Sequence, residues 1–393
     1  MASTTATSTT GRPPPWRDVR VLRIAAQVVV VVAVVALVAY LYDNLTANQR
    51  ALNIDTSFDF LDQQAGFAIA YSDFSPSGTV WEALLVGLRN TLTVALVGIV
   101  LTLVLGTLVG IARLSGNWLV RRVAGAYVES VRNVPPLLVI IFVNSAALAT
   151  LPPIEDARRV GGGLLLSVRQ IGVMVPRGDG HGGAYLALLA VAVLAAVAVA
   201  RWREGVEARA GRPARRWAWG LAVFGVPAVA GWFALDAPIV LSRPEVVGLS
   251  IEGGTVMGLP YVAVLVGLVL YTATHVAEIV RGSILAVPAG QGEAATALGL
   301  STSQRLRHVV LPQAFRIAVP PTINQCLNLT KNTSLGVAVA YAEAMYVANT
   351  VIASGGKPAI QTILVVMGMY LVVSLSISLV ANVAHRRLRL VER

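Results

Sequence analysis

Residues 278–312 read EIVRGSILAVPAGQGEAATALGLSTSQRLRHVVLP, a stretch polar enough to sit in water yet set between two long apolar runs. Pro288 and Gly290 break what precedes them. The segment from Gln291 through Gly292, Glu293, Ala294 and Ala295 to Leu298 is therefore predicted to form a short helix, which Gly299 closes in a left-handed conformation. Glu293 then falls in the first turn, where the helix dipole favours a carboxylate. Ser301 followed by Gln304 reads as a capping box for a second short helix, whose Leu306, Val309 and Val310 share one face before Pro312 stops it. Two helices of about two turns each are marginal alone in water, so something must pack on them.

The composition around that stretch is that of a membrane protein. Of 393 residues 56% are hydrophobic and only 13% charged, against about 45–50% and 25% in soluble chains. The net charge of +11 is carried by arginines that flank apolar runs. A basic stripe interleaved with aromatics is missing, which speaks for orientation in a membrane and against nucleic acid. A single cysteine, Cys326, excludes an intramolecular disulfide, and four scattered histidines offer no metal-ligand spacing.

The chain reads as an all-α polytopic membrane protein of about eight transmembrane helices. Residues 1–23 form a tail whose first fifteen, rich in Ser, Thr and Pro, are predicted to be disordered. Residues 24–42 are apolar behind Arg17, Arg20 and Arg23, and are read as a retained first helix in preference to a signal peptide. An acidic loop occupies 43–86. Residues 87–151 hold the next two spans, 91–112 with Gly98, Gly106 and Gly110 as close-packing positions, and 137–151. Residues 152–254 carry two further spans, 184–200 and 217–235, around an internal loop 201–216 with six arginines. Residues 255–384 contain the sixth span at 259–277, the polar loop 278–312, a seventh helix beginning at Pro320-Pro321 and an eighth at 360–384. A basic tail, 385–393, follows.

With these spans, about 22 of the 31 Lys and Arg fall on the side of the N-terminus and about seven on the other, while roughly 12 of the 20 acids lie opposite. Both termini and the loop 278–312 are thereby expected in the cytoplasm.

Glu293-Ala294-Ala295, then Gly299, then Val309-x-Leu311-Pro312, resembles the EAA loop of ABC-importer permeases, with Val309 in place of the usual isoleucine. Several shorter stretches are similar to polar-amino-acid permeases: Gly87 to Leu92 (GLRNTL), Gly110 to Ser115 (GIARLS), Tyr127-Val128-Glu129, Arg132 to Pro135, Ala277-Glu278-Ile279 with Arg281-Gly282, and Lys331 to Leu335 with Glu343. The long form looks most like the Q-type permease subunit of general L-amino-acid importers. That resemblance implies a MetI-like five-helix core with an added N-terminal helix and an inserted helix pair. It also implies a coupling role for Glu293, Ala294, Ala295, Gly299, Leu311 and Pro312 on a separate ATPase dimer that binds ATP-Mg. The other partners it implies are a second, homologous permease subunit and a periplasmic amino-acid-binding protein.

On the seventh helix Asn324, Asn328 and Lys331 recur at i, i+4 and i+7, with Gln325 and Asn332 on the flank. Lipid offers such groups no hydrogen bonds, so this face is expected to line a substrate path or meet a partner helix. Glu343, twelve positions beyond Lys331, is a further path or gate candidate or an interhelical partner. Glu129 and Arg132 are expected to pair locally, and Arg281 to hold Glu293 against the loop base. Gly290-x-Gly292-x-x-Ala295 lacks the preceding strand of a dinucleotide site, and Gly356-Lys357 lacks the earlier glycine of a phosphate loop. No catalytic or metal-binding residues are expected. An ion-coupled secondary transporter, an intramembrane enzyme and a membrane scaffold are the competing classes. The first should show paired broken helices in both halves and the second convergent His, Asp or Ser groups at membrane depth. The sequence offers neither pattern.

Overall fold

The computed structural model describes residues 16, 18–51, 57–178, 180–210, 216–236, 239–354 and 356–388; the tail at 1–15 and residues 389–393 lie outside them. The helices are α1 (Val19–Ala51), α2 (Val80–Ala112), α3 (Trp118–Arg132), α4 (Pro136–Phe142, continued by a π-helical turn to Leu148), α5 (Gly182–Ala210), α6 (Arg216–Ala234), α7 (Leu259–Leu285), α8 (Ala289–Ala297), α9 (Thr302–Arg305), α10 (Leu311–Asn332), α11 (Ala344–Ala353) and α12 (Ala359–Leu388). Among the described residues six helices are long and apolar enough to cross a membrane. The count becomes eight if two bent pairs each form one span: α3 with α4, at 106°, and Thr302–Val339 with α11, at 44°.

The core is organised on α2 and α7, which run side by side in the same direction: Gly98 meets Leu265, Gly106 meets Val276, and Gly110 meets Ala277 and Val280. A Cβ at Gly106 would lie 2.6 Å from Val276 Cβ, so the missing side chain is what lets the helices touch. Thr79 and Glu82 form a capping box that starts α2 well before Thr91, the expected beginning. α4 packs on α7 through Ile140 against Gly267. α10 returns along α2 and α7 with Leu329 in the seam, and α11 seats Ala344 and Val347 on Gly87. α12 closes that side, bringing Val366 and Met369 onto Val347 and Val351. α5 and α6 form their own hairpin, with Tyr185 Oη donating to the Ala228 carbonyl at 3.0 Å and Leu188 reaching Gly231.

The end of the bundle from which α2 and α7 start carries short strands that periodicity did not reveal. They are β1 (Arg158–Val160), β2 (Leu164–Leu166), β3 (Gln170–Val173), β4 (Val175–Gly178), β5 (Ile239–Ser242), β6 (Glu245–Val247), β7 (Ser250–Glu252) and β8 (Thr255–Gly258). An antiparallel sheet runs β1-β2-β3-β8, with Gln170 opposite Gly258 and Val173 opposite Thr255. β4 pairs with β5 and β6 with β7, so the α5–α6 hairpin springs from a two-stranded ribbon. Tyr71 donates to the Arg169 carbonyl at 3.0 Å and lays its ring against Gly258, which ties the segment before α2 to this sheet.

Several local expectations need correction. α8 begins at Ala289, directly after Pro288, so Glu293 sits mid-helix and not in the first turn. Pro312 does not stop a helix; it follows the π-helical turn Leu306–Val310 in the first turn of α10, and Pro320 and Pro321 lie inside that helix. The arginine-rich segment 201–216 is helical through Ala210. The third span is short because the polar stretch before it forms a separate helix, α3, laid at a steep angle.

Candidate functional site

At the end opposite the strands, α8 stands out as a short helix on a braced stalk. Its C-terminus is a Schellman closure: Leu300 N–H donates to the Ala295 carbonyl at 3.1 Å and Gly299 N–H to Thr296 at 2.9 Å, with Gly299 at φ +76°. A Cβ on Gly299 would meet nothing within 4 Å, so backbone angle and not space calls for glycine here. Ser301 and Gln304 form the expected capping box on α9. The chain then continues through a π-helical stretch, Leu306–Val310, into α10 without a stop.

α8 is held back on this stalk at three points. Ala295 is 3% exposed, Arg305 Nη1 donates to Thr296 Oγ1 at 3.2 Å, and Gln313 Nε2 donates to Gln291 Oε1 at 3.4 Å. The opposite side of α8 is free: Glu293, Ala294 and Gly299 are exposed, and Leu298 is almost bare. Leu311 and Pro312 are exposed at the base of the same loop. Leu298 was not singled out from the sequence, although its place just before the closing glycine was the available signal. An exposed leucine beside small residues on a short braced helix is shaped to enter a groove in another protein.

The stalk is anchored by a node that sequence proximity misassigned. Glu278 pairs with Arg113 at the end of α2, and its Oε1 accepts from Arg281 Nε at 3.0 Å. Arg281 therefore holds Glu278 and not Glu293, and Glu129 makes no ion pair with Arg132. Arg113 and Glu278, 165 residues apart, bind the two central helices just above the loop.

The second feature is the break between α10 and α11. Residues Thr333–Val339 tighten to 3-10 geometry, Ala340 adopts φ 57°, and helical structure resumes only at Ala344. α2 stitches this break. Asn90 Nδ2 donates to the Ala342 carbonyl at 2.7 Å, Tyr341 Oη to the Asn90 carbonyl at 2.9 Å, and Ala344 N–H to Thr91 Oγ1 at 3.1 Å. The GLRNT stretch thus satisfies backbone groups that lipid could not. Glu343 is fully enclosed, and its carboxylate caps α11 by accepting from Met345 N–H at 2.9 Å and Tyr346 N–H at 2.8 Å. Tyr370 donates to it at 2.7 Å. Glu343 accordingly does not share the face of Asn324, Asn328 and Lys331. Those three side chains are exposed in a row below the break, and among the described residues none has an intramolecular hydrogen-bond partner. Asn332 is half-buried at their flank.

Above the break, towards the strands, a cavity of about 610 Å³ is lined by Asp73, Arg89, Asn90, Thr93, Tyr261 and Tyr341 among others. It falls within the size range of small-molecule sites, about 300–1,000 Å³. Arg89 and Asp73 bring opposite charges to one opening. Among the described residues no group of three or more His, Cys, Asp or Glu is placed to hold a metal ion.

A braced helix facing outward at one end, joined by one continuous helix to a stitched break and an unpartnered polar face, is the arrangement of a membrane transport subunit. Residues 98–390 match the family described as binding-protein-dependent transport system inner membrane component, and the chain belongs to that family. It is a multi-pass permease subunit and not an enzyme. Over 372 residues it is 38% identical to YhdX of Escherichia coli K12, a permease protein named for amino-acid ABC transport, covering 93% of this chain and 94% of that one. It is 37% identical over 370 residues to AapQ of Rhizobium johnstonii, a general L-amino acid transport system permease protein, covering 93% and 92%. It is 33% identical over 410 residues to BztB of Rhodobacter capsulatus, a glutamate/glutamine/aspartate/asparagine transport system permease protein, covering 96% of each.

Proposed function

We propose that this chain moves amino acids inward across the bacterial inner membrane, as one permease of an ATP-driven importer that works by alternating access. The observation that carries the reading is likeness over more than nine tenths of both chains to permeases named for amino acids. The arginine distribution supports placing both termini and α8 in the cytoplasm, with the strands on the periplasmic side. There a binding protein delivers substrate. α8 docks on an ATPase dimer through Glu293, Ala294, Leu298 and Gly299, with Leu311 and Pro312 setting its base, and ATP-Mg is bound by that dimer. The uninterrupted run from α9 through the π-helical stretch into α10 puts the stalk of α8 and the substrate face on one mechanical element, so a displacement of α8 is passed along α10.

The exposed face of Asn324, Asn328 and Lys331 meets a second, homologous permease across the path, with Asn332 at its upper edge. Lys331 attracts the substrate carboxylate and the amides orient it. Arg89 and Asp73 offer complementary charges to the two ends of a zwitterion in the cavity above. Glu343 serves this path indirectly, by holding the break that positions Lys331. Lys331→Met removes a charged hydrogen-bond donor worth about 1.5–3 kcal/mol, so uptake efficiency should fall about 10- to 100-fold while assembly and ATPase docking persist. Unchanged uptake by an assembled Lys331→Met complex would remove Lys331 from the path.

A further inference from the structure

The α8 end of the bundle holds a charged cleft between α3 and the Glu278 node, and its α3 arginines have no part in docking or transport. α3 meets α4 at 106°, so the two do not form one straight span. At helical spacing Trp118, Arg121, Arg122, Gly125, Glu129 and Arg132 fall on one side, with Leu119, Val120 and Val123 on the other. Leu119 and Val123 are exposed, as is Trp118. A helix divided in this way lies in a membrane interface with its apolar side among acyl chains and its aromatic ring at headgroup level.

Between the polar face of α3 and the ends of α2 and α7 lie two adjoining clefts of about 350 and 430 Å³. Five guanidinium groups line them, those of Arg113, Arg121, Arg122, Arg132 and Arg281, against the two carboxylates of Glu129 and Glu278. Glu278 is already engaged by Arg113 and Arg281. Arg121 donates to the Ser115 carbonyl at 3.0 Å, which leaves most of its planar fork available. A Cβ on Gly125 would meet nothing within 4 Å, so the cleft stays open over the middle of α3. On the wall from α7, His275 Nε2 is buried without a hydrogen-bond partner.

We propose that this cleft binds the phosphate headgroup of an anionic phospholipid. Arg121 and Arg122 pair with the phosphate oxygens, a match of planar fork to phosphate. The acyl chains run over Leu119 and Val123, which a free phosphate would leave bare. The assignment is independent of which substrate the permease carries. It concerns the lipid that seats α3 beside the Glu278 node above the docking helix.

The test uses the full permease complex with its ATPase, placed in nanodiscs of phosphatidylcholine with phosphatidylglycerol as the minor lipid, and measures the lipid retained after extraction into detergent. Wild type should retain phosphatidylglycerol selectively. Arg121→Gln with Arg122→Gln should retain about 30-fold less, and inorganic phosphate should not displace the lipid. Equal retention by the double variant overturns the proposal. Displacement by phosphate also overturns it, since the site would then take a free anion. Should the double variant fail to assemble, phenylglyoxal labelling of the wild-type complex decides. Phosphatidylglycerol should slow modification of Arg121 and Arg122 relative to pure phosphatidylcholine, and equal labelling in both rejects the site.

Discussion

Leu298 offers a quantitative test of the docking surface. It closes α8 with 81% of its surface exposed and stands clear of the contacts that brace the helix, which run through Ala295, Thr296 and Gln291. If it enters a groove on the ATPase, Leu298→Ala withdraws three carbons from that groove. At about 0.8 kcal/mol per buried carbon the loss is about 2 kcal/mol, which corresponds to about 30-fold weaker association. The permease itself should be unaffected, because the substituted side chain supports nothing within the chain. The assay is titration of purified ATPase onto the permease complex in nanodiscs, with thermal stability of the permease measured alongside. Ala295→Leu supplies the contrast: it overfills a closed position, costs about 1–3 kcal/mol of loop stability and should loosen α8 in hydrogen exchange. A Leu298→Ala complex that binds ATPase within about twofold of wild type, with its loop intact, would refute the docking geometry.

Two further substitutions probe the parts that carry force from α8 inward. Thr91→Val leaves the buried Ala344 N–H without its acceptor and should cost about 1–3 kcal/mol, read as a lowered midpoint of thermal unfolding in detergent; an unchanged midpoint means the break does not depend on α2. Glu278→Gln removes the shared countercharge of Arg113 and Arg281 at a node about a quarter exposed, for a cost of about 1–3 kcal/mol. It should speed proteolysis of the loop while Glu293→Gln does not, and the reverse order would restore the expected pairing of Arg281 with Glu293.

What could be read from the chain beforehand was what local chemistry decides. Pro288, Gly299 and the Ser301–Gln304 pair act within a few residues of themselves, so the first short helix of the loop and the start of the second were legible, but not the run of the second into α10; apolar run length gave the spans. The capping box at Thr79 and Glu82 was equally local and would have placed the start of α2 at Val80. The strands were not legible, because each is three or four residues long and exists only through a partner far away, as Gln170 does with Gly258. The same distance hid the bond from Arg113 to Glu278 and the stitching of Ala344 by Thr91. The short stretches that resembled known permeases were visible as motifs, and the structure supplies their reason. GLRNT holds a broken helix, GIARLS and AEI-x-RG meet at one carboxylate, and Glu343 is a cap whose burial no periodicity announces. α3 escaped as a helix because its fifteen residues are too polar for a span and were read as connecting loop.

The central claim is that this chain moves substrate only when a separate ATPase closes on α8. The most direct measurement is uptake of a panel of labelled amino acids into proteoliposomes containing the assembled permease, ATPase and binding protein, with and without ATP-Mg, and with a proton or sodium gradient imposed in its place. Uptake should require hydrolysable ATP, ignore the gradients, and fall with Leu298→Ala in parallel with ATPase association. Uptake that persists without ATP and follows an ion gradient would contradict the account.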